Sequence, residues 1–133
     1  MSERDLGRLR QKFPRIRTHC TSIYDLAAIG ERFDLVICAE VLEHLDDPER
    51  GLSALLSVGP ERLILTVPHE PWFLLSNLAR GKNLTRLGND PEHLQRFSRR
   101  SFRHLLERRL VVDELTTSYP WLLALARPRQ SGT

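Results

Sequence analysis

The chain has 133 residues, 41% of them hydrophobic, and this length and composition suit one compact domain with a buried core. Its formal net charge is +3, but acidic residues are interspersed with the basic ones and aromatic residues make up only 7%, which argues against a nucleic-acid surface. The sequence has no apolar run of signal-peptide or membrane-spanning type, so neither secretion nor membrane insertion is expected.

The first thirty residues are predicted to form a helix, a strand and a second, shorter helix. Apolar residues recur at helical spacing over residues 3–12, and Pro14 ends that helix. Polar and apolar residues then alternate over 15–20, as is typical of a half-exposed edge strand. The apolar stretch 23–29 predicts a brief helix that ends at Gly30.

The middle of the chain is predicted to form a strand, helix and strand unit. Residues 33–39 are almost continuously apolar, which predicts a central parallel strand covered on both faces. Asp47 caps a helix that has Pro48 at its first position and ends near Gly59. Residues 62–67 form a second buried strand. This order predicts a crossover connection between two parallel strands.

The carboxyl-terminal half combines helices, a polar loop and a strand pair. A helix is predicted over 72–79, and the polar stretch 81–97 has the length of a functional loop. Ser98 caps a further helix, and residues 111–118 and 121–126 flank a turn as an antiparallel pair.

The chain is predicted to form a single domain over residues 1–127, followed by a flexible tail over 128–133. Cys20 and Cys38 each end an apolar, strand-like run, which indicates buried free thiols rather than a disulfide framework. Free thiols of this kind favour a reducing compartment, so we expect a cytoplasmic protein.

A family resemblance lies in residues 33–45, which read Phe-Asp-Leu-Val-Ile-Cys-Ala-Glu-Val-Leu-Glu-His-Leu. Asp-Pro-Glu-Arg then opens a helix, and Leu-Ile-Leu-Thr-Val-Pro forms the next strand. This order and spacing resembles the fourth strand through the fifth strand of class I S-adenosylmethionine-dependent methyltransferases, type 11-like. The resemblance is closest to the group that includes small-molecule, quinone and lipid methyltransferases.

The resemblance implies an α/β fold with a partial Rossmann-like methyltransferase sheet, mostly parallel and with a carboxyl-terminal antiparallel hairpin. It also implies S-adenosylmethionine as the cofactor and a small-molecule, quinone or lipid-type acceptor. The cofactor contacts that it implies are Ser22, Ile23, Cys38, Ala39, Glu40 and His44.

Two histidines are candidates for a catalytic base that takes a proton from the acceptor. His69 follows the second strand of the central unit, and His93 lies in the polar loop. A surface position without a catalytic role is the alternative for each. Glu43 and His44 likewise either face the ligands or lie on a solvated turn.

The sequence departs from the family in two ways. Its seven glycines never stand two residues apart, so it has no Gly-x-Gly turn of the kind that wraps the cofactor. Ser22 also stands where the family usually has an aspartate that contacts adenine. We therefore expect an amino-terminally truncated chain that is inactive alone. The alternative is a non-catalytic interaction module that pairs with or regulates a partner.

Partner and ligand expectations follow from these departures. A sheet that lacks strands either lets residues 15–20 pair with 33–39 or leaves an exposed edge through which a homodimer forms. No metal site is predicted, because no histidine or cysteine pair has the tight spacing of a ligand set. Six arginines on and near the helix that Ser98 caps either bind an anionic acceptor or form a solvated face: Arg96, Arg99, Arg100, Arg103, Arg108 and Arg109.

Overall fold

The computed structural model describes residues 3–70 and 95–129. The α-helices are α1 (Glu3–Lys12), α2 (Pro48–Ser57) and α3 (Arg99–Glu107), and two 3₁₀ helices span Ile23–Ile29 and Leu42–His44. The strands are β1 (Leu35–Ala39), β2 (Arg62–Pro68), β3 (Leu110–Ser118) and β4 (Trp121–Pro128), in one sheet of order β1-β2-β4-β3. The predicted domain boundary at residue 127 falls inside β4.

The sheet confirms the α/β fold and the carboxyl-terminal hairpin but corrects the expected strand directions. β1 and β2 are parallel, whereas β2 pairs antiparallel with β4 and β4 pairs antiparallel with β3. The prediction of a mostly parallel sheet is therefore wrong for the described residues. Its physical cause is that the second strand of the hairpin, rather than another crossover strand, lies beside β2.

Both helices that follow strands begin as their capping residues predict. The Asp47 side chain accepts a hydrogen bond from the Arg50 N–H at 2.9 Å and caps α2, with Pro48 at the first position. Ser98 and Ser101 form a reciprocal capping box at the start of α3. The helix predicted over 3–12 is α1. The one predicted over 72–79 lies outside the described residues.

The core lies on one face of the sheet, which we call the covered face. Its side chains come from alternate positions of all four strands and pack with α2 and α3 in one cluster. The fully buried members of this cluster are Leu42, Leu52, Leu63, Leu65, Val67, Phe102, Leu106, Leu110, Leu122, Ala124 and Ala126.

The opposite face of the sheet is apolar as well, and we call it the open face. Strand register places Ile37 beside Ile64, and Ile64 beside Leu125. The exposed fraction is 48% for Leu35 and 64% for Ile37, while Ile64 and Leu125 are half-buried. β1 is thus an edge strand with one covered face, and the prediction of a central, doubly covered strand is wrong. The cause is that, within the described sheet, β1 pairs with β2 alone.

The edge strand predicted over residues 15–20 is also wrong, because this segment forms no strand and cannot pair with β1. Side chains hold it to the surface instead: Arg10 donates a hydrogen bond to Thr18, and Arg17 forms an ion pair with Glu31 at 2.6 Å. Cys20 is consequently exposed rather than buried. Alternating polarity therefore marks a surface segment here.

The stretch predicted as a brief helix is the 3₁₀ helix Ile23–Ile29. It ends at Gly30, whose φ of 69° lies in the left-handed region that glycine adopts without strain. This helix packs against α2. Within the described ranges, none of the helices has the length and apolar character needed to cross a membrane.

Candidate functional site

The carboxyl end of β1 carries a conformationally unusual residue, Glu40. Its φ of 54° places a non-glycine residue in the left-handed region, where the backbone is strained. Two side-chain donors fix its carboxylate: the Thr66 hydroxyl donates to Oε1 at 3.1 Å, and the Trp121 indole N–H donates to Oε2 at 2.8 Å. The strand end is therefore tied to β2 and β4.

A cavity of about 230 Å³ opens beside this carboxylate, at the corner of the open face where β1 and β2 end. Its lining residues are Glu40, Thr66, Ser118, Trp121 and Leu123, and we call it the Glu40 cavity. The carboxyl ends of parallel strands are where open α/β sheets bind ligands. The cavity therefore occupies the position at which a ligand is expected.

A second polar group lies just past the strand, on the covered side. The exposed fraction of Glu43 is 1%, and neither of its carboxylate oxygens has a hydrogen-bond partner among the described residues. Burial raises the pKa of Glu43 from 4.5 to about 7, with a smaller raising effect from Glu40. Its Oε1 lies 3.9 Å from Nε2 of His44. Glu43 is therefore partly protonated near neutral pH.

Cys38 is a buried thiol next to this carboxyl group. Burial, and secondarily the charge of Glu43, raise the pKa of Cys38 to about 12. At neutral pH the side chain is a thiol and not a thiolate. Burial therefore disfavours a nucleophilic role for Cys38, which packs in the core cluster.

His69 lies at the same edge of the sheet as Glu40. Its backbone N–H donates to the Pro120 carbonyl at 2.9 Å, and it forms a bridge with Phe97. Nδ1 of its ring is buried and has no hydrogen-bond partner among the described residues. The structure thus brings the His69 backbone to the turn that precedes Trp121, although His69 does not line the Glu40 cavity.

The other predicted site residues are distributed more widely. Ser22 caps the 3₁₀ helix Ile23–Ile29 by accepting a hydrogen bond from the Tyr24 N–H at 3.3 Å. The Tyr24 hydroxyl accepts from the Asp47 N–H at 3.2 Å, which ties this helix to the start of α2. His44 ends the short 3₁₀ helix after β1. His93 lies outside the described residues.

Trp121 and Thr66 line the cavity and donate the two hydrogen bonds to Glu40, and neither was predicted from the sequence. Trp121 is 81 residues from Glu40 along the chain and meets it because β4 pairs with β2. Thr66 reads as an ordinary strand residue. No spacing rule links such distant positions. The weak signal available was an aromatic residue directly after the predicted turn.

The contacts of the arginine side chains and of the potential metal ligands test the two other sites considered, an anion site and a metal site. On α3, Arg103 pairs with Glu107 at 3.1 Å, while Arg108 pairs with Glu49. Arg99 donates to the Leu115 carbonyl. These contacts suit a solvated face. No group of three His, Cys, Asp or Glu side chains suited to a metal occurs in the described parts of the chain.

Comparison with known proteins assigns the family. The family model described as a methyltransferase domain matches residues 3–109, most of the chain and both parallel strands. The chain therefore belongs to this methyltransferase family, as the motif over residues 33–45 predicted. This family implies S-adenosylmethionine as the methyl donor.

Solved structures support the fold. The chain is similar to a magnesium protoporphyrin IX methyltransferase from Synechocystis PCC 6803 with bound SAH, with a TM-score of 0.60 and 22% identity. That match covers 92% of this chain and 57% of the other. A protein from Pyrococcus horikoshii OT3, PH0226, matches with a TM-score of 0.66 and 13% identity, covering 96% of this chain and 68% of that chain.

Two further matches show how the chain relates to longer proteins. The small RNA methyltransferase HEN1 matches with a TM-score of 0.63 and 18% identity, covering 85% of this chain and 16% of HEN1. An uncharacterized protein of Synechococcus sp. is 49% identical over 43 residues, which are 32% of this chain and 10% of that protein. The chain thus spans about a tenth of the curated relative it matches.

The described residues supply no glycine-lined cradle for the amino-acid part of S-adenosylmethionine. Each described glycine has another place in the fold. Gly7 lies within α1, Gly30 ends a 3₁₀ helix, Gly51 packs on Leu45, and Gly59 lies against the Arg32 guanidinium. A backbone turn that wraps a ligand closely needs glycine at two nearby positions. Among the described residues, no pair of glycines is therefore placed to form such a turn.

Proposed function

We propose that this chain carries the acceptor side of an S-adenosylmethionine-dependent methyltransferase site that acts on a small-molecule, quinone or lipid-type acceptor. The observation that carries the proposal is the Glu40 cavity at the carboxyl ends of the two parallel strands. Glu40 and Thr66 lie within the segment that matches the family, and the other lining residues follow it. We further propose that Ser22, Ile23, Cys38, Ala39 and His44 form the cofactor side of the site, and that Glu40, a predicted cofactor contact, faces the acceptor instead.

The isolated chain is expected to bind S-adenosylmethionine weakly, because Ser22 offers adenine a hydroxyl without a carboxylate's charge. No Gly-x-Gly turn is available for the rest of the cofactor. Titration calorimetry should detect no binding in the micromolar range. Two-dimensional NMR should detect selective shifts of the Ser22 and Ala39 amides, with a dissociation constant of about 1 mM or weaker.

A matched pair of variants tests the site. Ser22→Ala should weaken the response, whereas Ser57→Ala in α2, where the hydroxyl donates to the Ala54 carbonyl, should leave it unchanged. The absence of any selective shift contradicts the methyltransferase proposal for this chain. Micromolar binding instead contradicts the proposal that the site is incomplete.

His69 is the proposed base for an acceptor that carries a proton. His69 follows the end of β2, at the same edge of the sheet as Glu40, and its buried Nδ1 has no hydrogen-bond partner among the described residues, which supports this role. His93 was predicted for the same role from the polar loop and remains a candidate. Methyl transfer itself is an in-line displacement, so these residues matter only for acceptors that lose a proton.

We also propose a second candidate function, that of an interaction module that pairs with another copy of itself. The edge formed by β1 supports it, because Leu35–Ala39 contains no charge, proline or glycine to block further strand pairing. The other edge, β3, is protected by a bulge between Val112 and Glu114 and by the charge of Asp113. Because an uncharged strand does not repel its own copy, we propose that two copies of the chain pair through their β1 edges about a twofold axis.

Light scattering after size exclusion tests this pairing. The chain is expected to elute at twice its mass of 15.4 kDa, and Ile37→Lys should convert it to a monomer. Ile16→Lys is the matched control, since Ile16 is similarly exposed but lies outside the sheet. A monomer at every concentration, or equal effects of the two substitutions, would falsify the proposed pairing.

A further inference from the structure

We infer that the Glu40 cavity binds the positively charged amino group of a small organic ligand. The cavity is lined by a fixed carboxylate, an exposed indole ring and two hydroxyl groups. Its assignment to the methyl acceptor rests on the proposed function, whereas cation binding as such does not.

The charge of Glu40 is held in place but not neutralised. Both of its hydrogen-bond donors, the Thr66 hydroxyl and the Trp121 indole, are uncharged. In the described parts of the chain no Lys, Arg or His nitrogen forms an ion pair with this carboxylate within 4.0 Å. Each oxygen keeps an acceptor position for a further donor. The cavity therefore presents a preorganised negative charge.

The aromatic side chain favours the same kind of ligand. Trp121 lines the cavity with an exposed fraction of 40%, and its N–H bond to Glu40 restricts the orientation of the ring. The face of an indole ring attracts cations. Leu123 adds an apolar wall suited to a hydrocarbon stem, and the Ser118 hydroxyl supplies a further polar contact.

An anionic ligand is disfavoured at this cavity. The arginine side chains that could recruit an anion lie on and around α3, where Arg99, Arg103 and Arg108 are bonded to Leu115, Glu107 and Glu49. None of them lines the Glu40 cavity. The side chains that line the cavity therefore favour a ligand with an amino group over a phosphorylated ligand.

NMR of the indole N–H groups tests the inference directly. The chain has two tryptophans, and the Trp72→Phe variant assigns the Trp121 signal. Phenethylammonium should shift this signal in a saturable way at pH 7, and 2-phenylethanol, which has the same ring without the charge, should bind about tenfold more weakly. Equal binding of the two probes overturns the inference.

Charge-removing variants provide the matched comparison. Glu40→Gln should abolish the preference for the cation, while Glu61→Gln, which removes an exposed charge at the opposite end of β2, should retain it. Unchanged signals elsewhere in the Glu40→Gln spectrum establish that the variant is folded. A cation preference that survives Glu40→Gln contradicts the inference.

A competition with S-adenosylmethionine separates this inference from the proposed function. Shifts at Ser22 and Ala39 with an undisturbed phenethylammonium response support both. Displacement of phenethylammonium by the cofactor, which is itself a cation, overturns the assignment to the acceptor. A phenethylammonium response without any response of Ser22 to the cofactor overturns the proposed function and retains the cation site.

Discussion

Glu43 carries a buried carboxyl group, whereas most carboxylates in proteins are exposed to water. An ionised side chain without hydrogen-bond partners is costly to bury, so the folded protein holds the proton up to a higher pH than the unfolded chain. The folded pKa of Glu43 is about 7 and the ordinary value is 4.5. The associated stabilisation is complete below pH 4.5 and is lost as the pH rises through 7.

The pH dependence of stability gives the residue-scale prediction. Glu43→Gln removes the ionisation, so the free energy of unfolding of the variant, relative to the parent chain, should rise by up to about 3 kcal/mol between pH 4.5 and 8. Urea denaturation across this range measures the difference. The exposed Glu61→Gln should show a difference that is constant to about 0.5 kcal/mol. Parallel pH profiles for the parent and Glu43→Gln would exclude the raised pKa.

Helix α3 begins at a capping box formed by two serine side chains. Its first turn contains no acidic residue, so the reciprocal bonds between Ser98 and Ser101 satisfy the free N–H groups there. The same helix buries Phe102 and Leu106 in the core. A loss at the cap is therefore transmitted to the packing of the covered face.

At the scale of this element we predict that Ser98→Ala lowers the free energy of unfolding by about 1 kcal/mol. Chemical denaturation followed by circular dichroism measures it. Ser53→Ala in α2 is the control, because that hydroxyl donates to the Glu49 carbonyl within the helix and caps nothing. If both substitutions cost the same, the capping box is not the source of the stabilisation.

Elements with a local cause could be predicted from the sequence. Proline and capping residues place α1, α2 and α3, and apolar runs place the parallel strands. The strand predicted over 15–20 failed because alternation describes exposure on one side, which a surface segment can show without pairing. β1 was taken as central for a similar reason, since an apolar run does not reveal which of its neighbours are present.

On the scale of the whole molecule, the arrangement of strands is what the sequence did not provide. The position of β4 between β2 and β3 follows from contacts between distant residues, such as Leu65 with Ala124. The Glu40 cavity depends on this arrangement. The family of the chain could nevertheless be predicted, because the motif over 33–45 lies in one continuous stretch that the family model also matches.

The strand order divides the described sheet into two locally folded units, residues 35–68 and 110–128, that meet along six residue pairs of β2 and β4. The two units share one core cluster on the covered face. Glu40 and Thr66 come from the first unit, whereas Ser118, Trp121 and Leu123 come from the second. A ligand bound in the cavity would therefore contact both units and stabilise their pairing, by an amount that rises with the free ligand concentration relative to its dissociation constant.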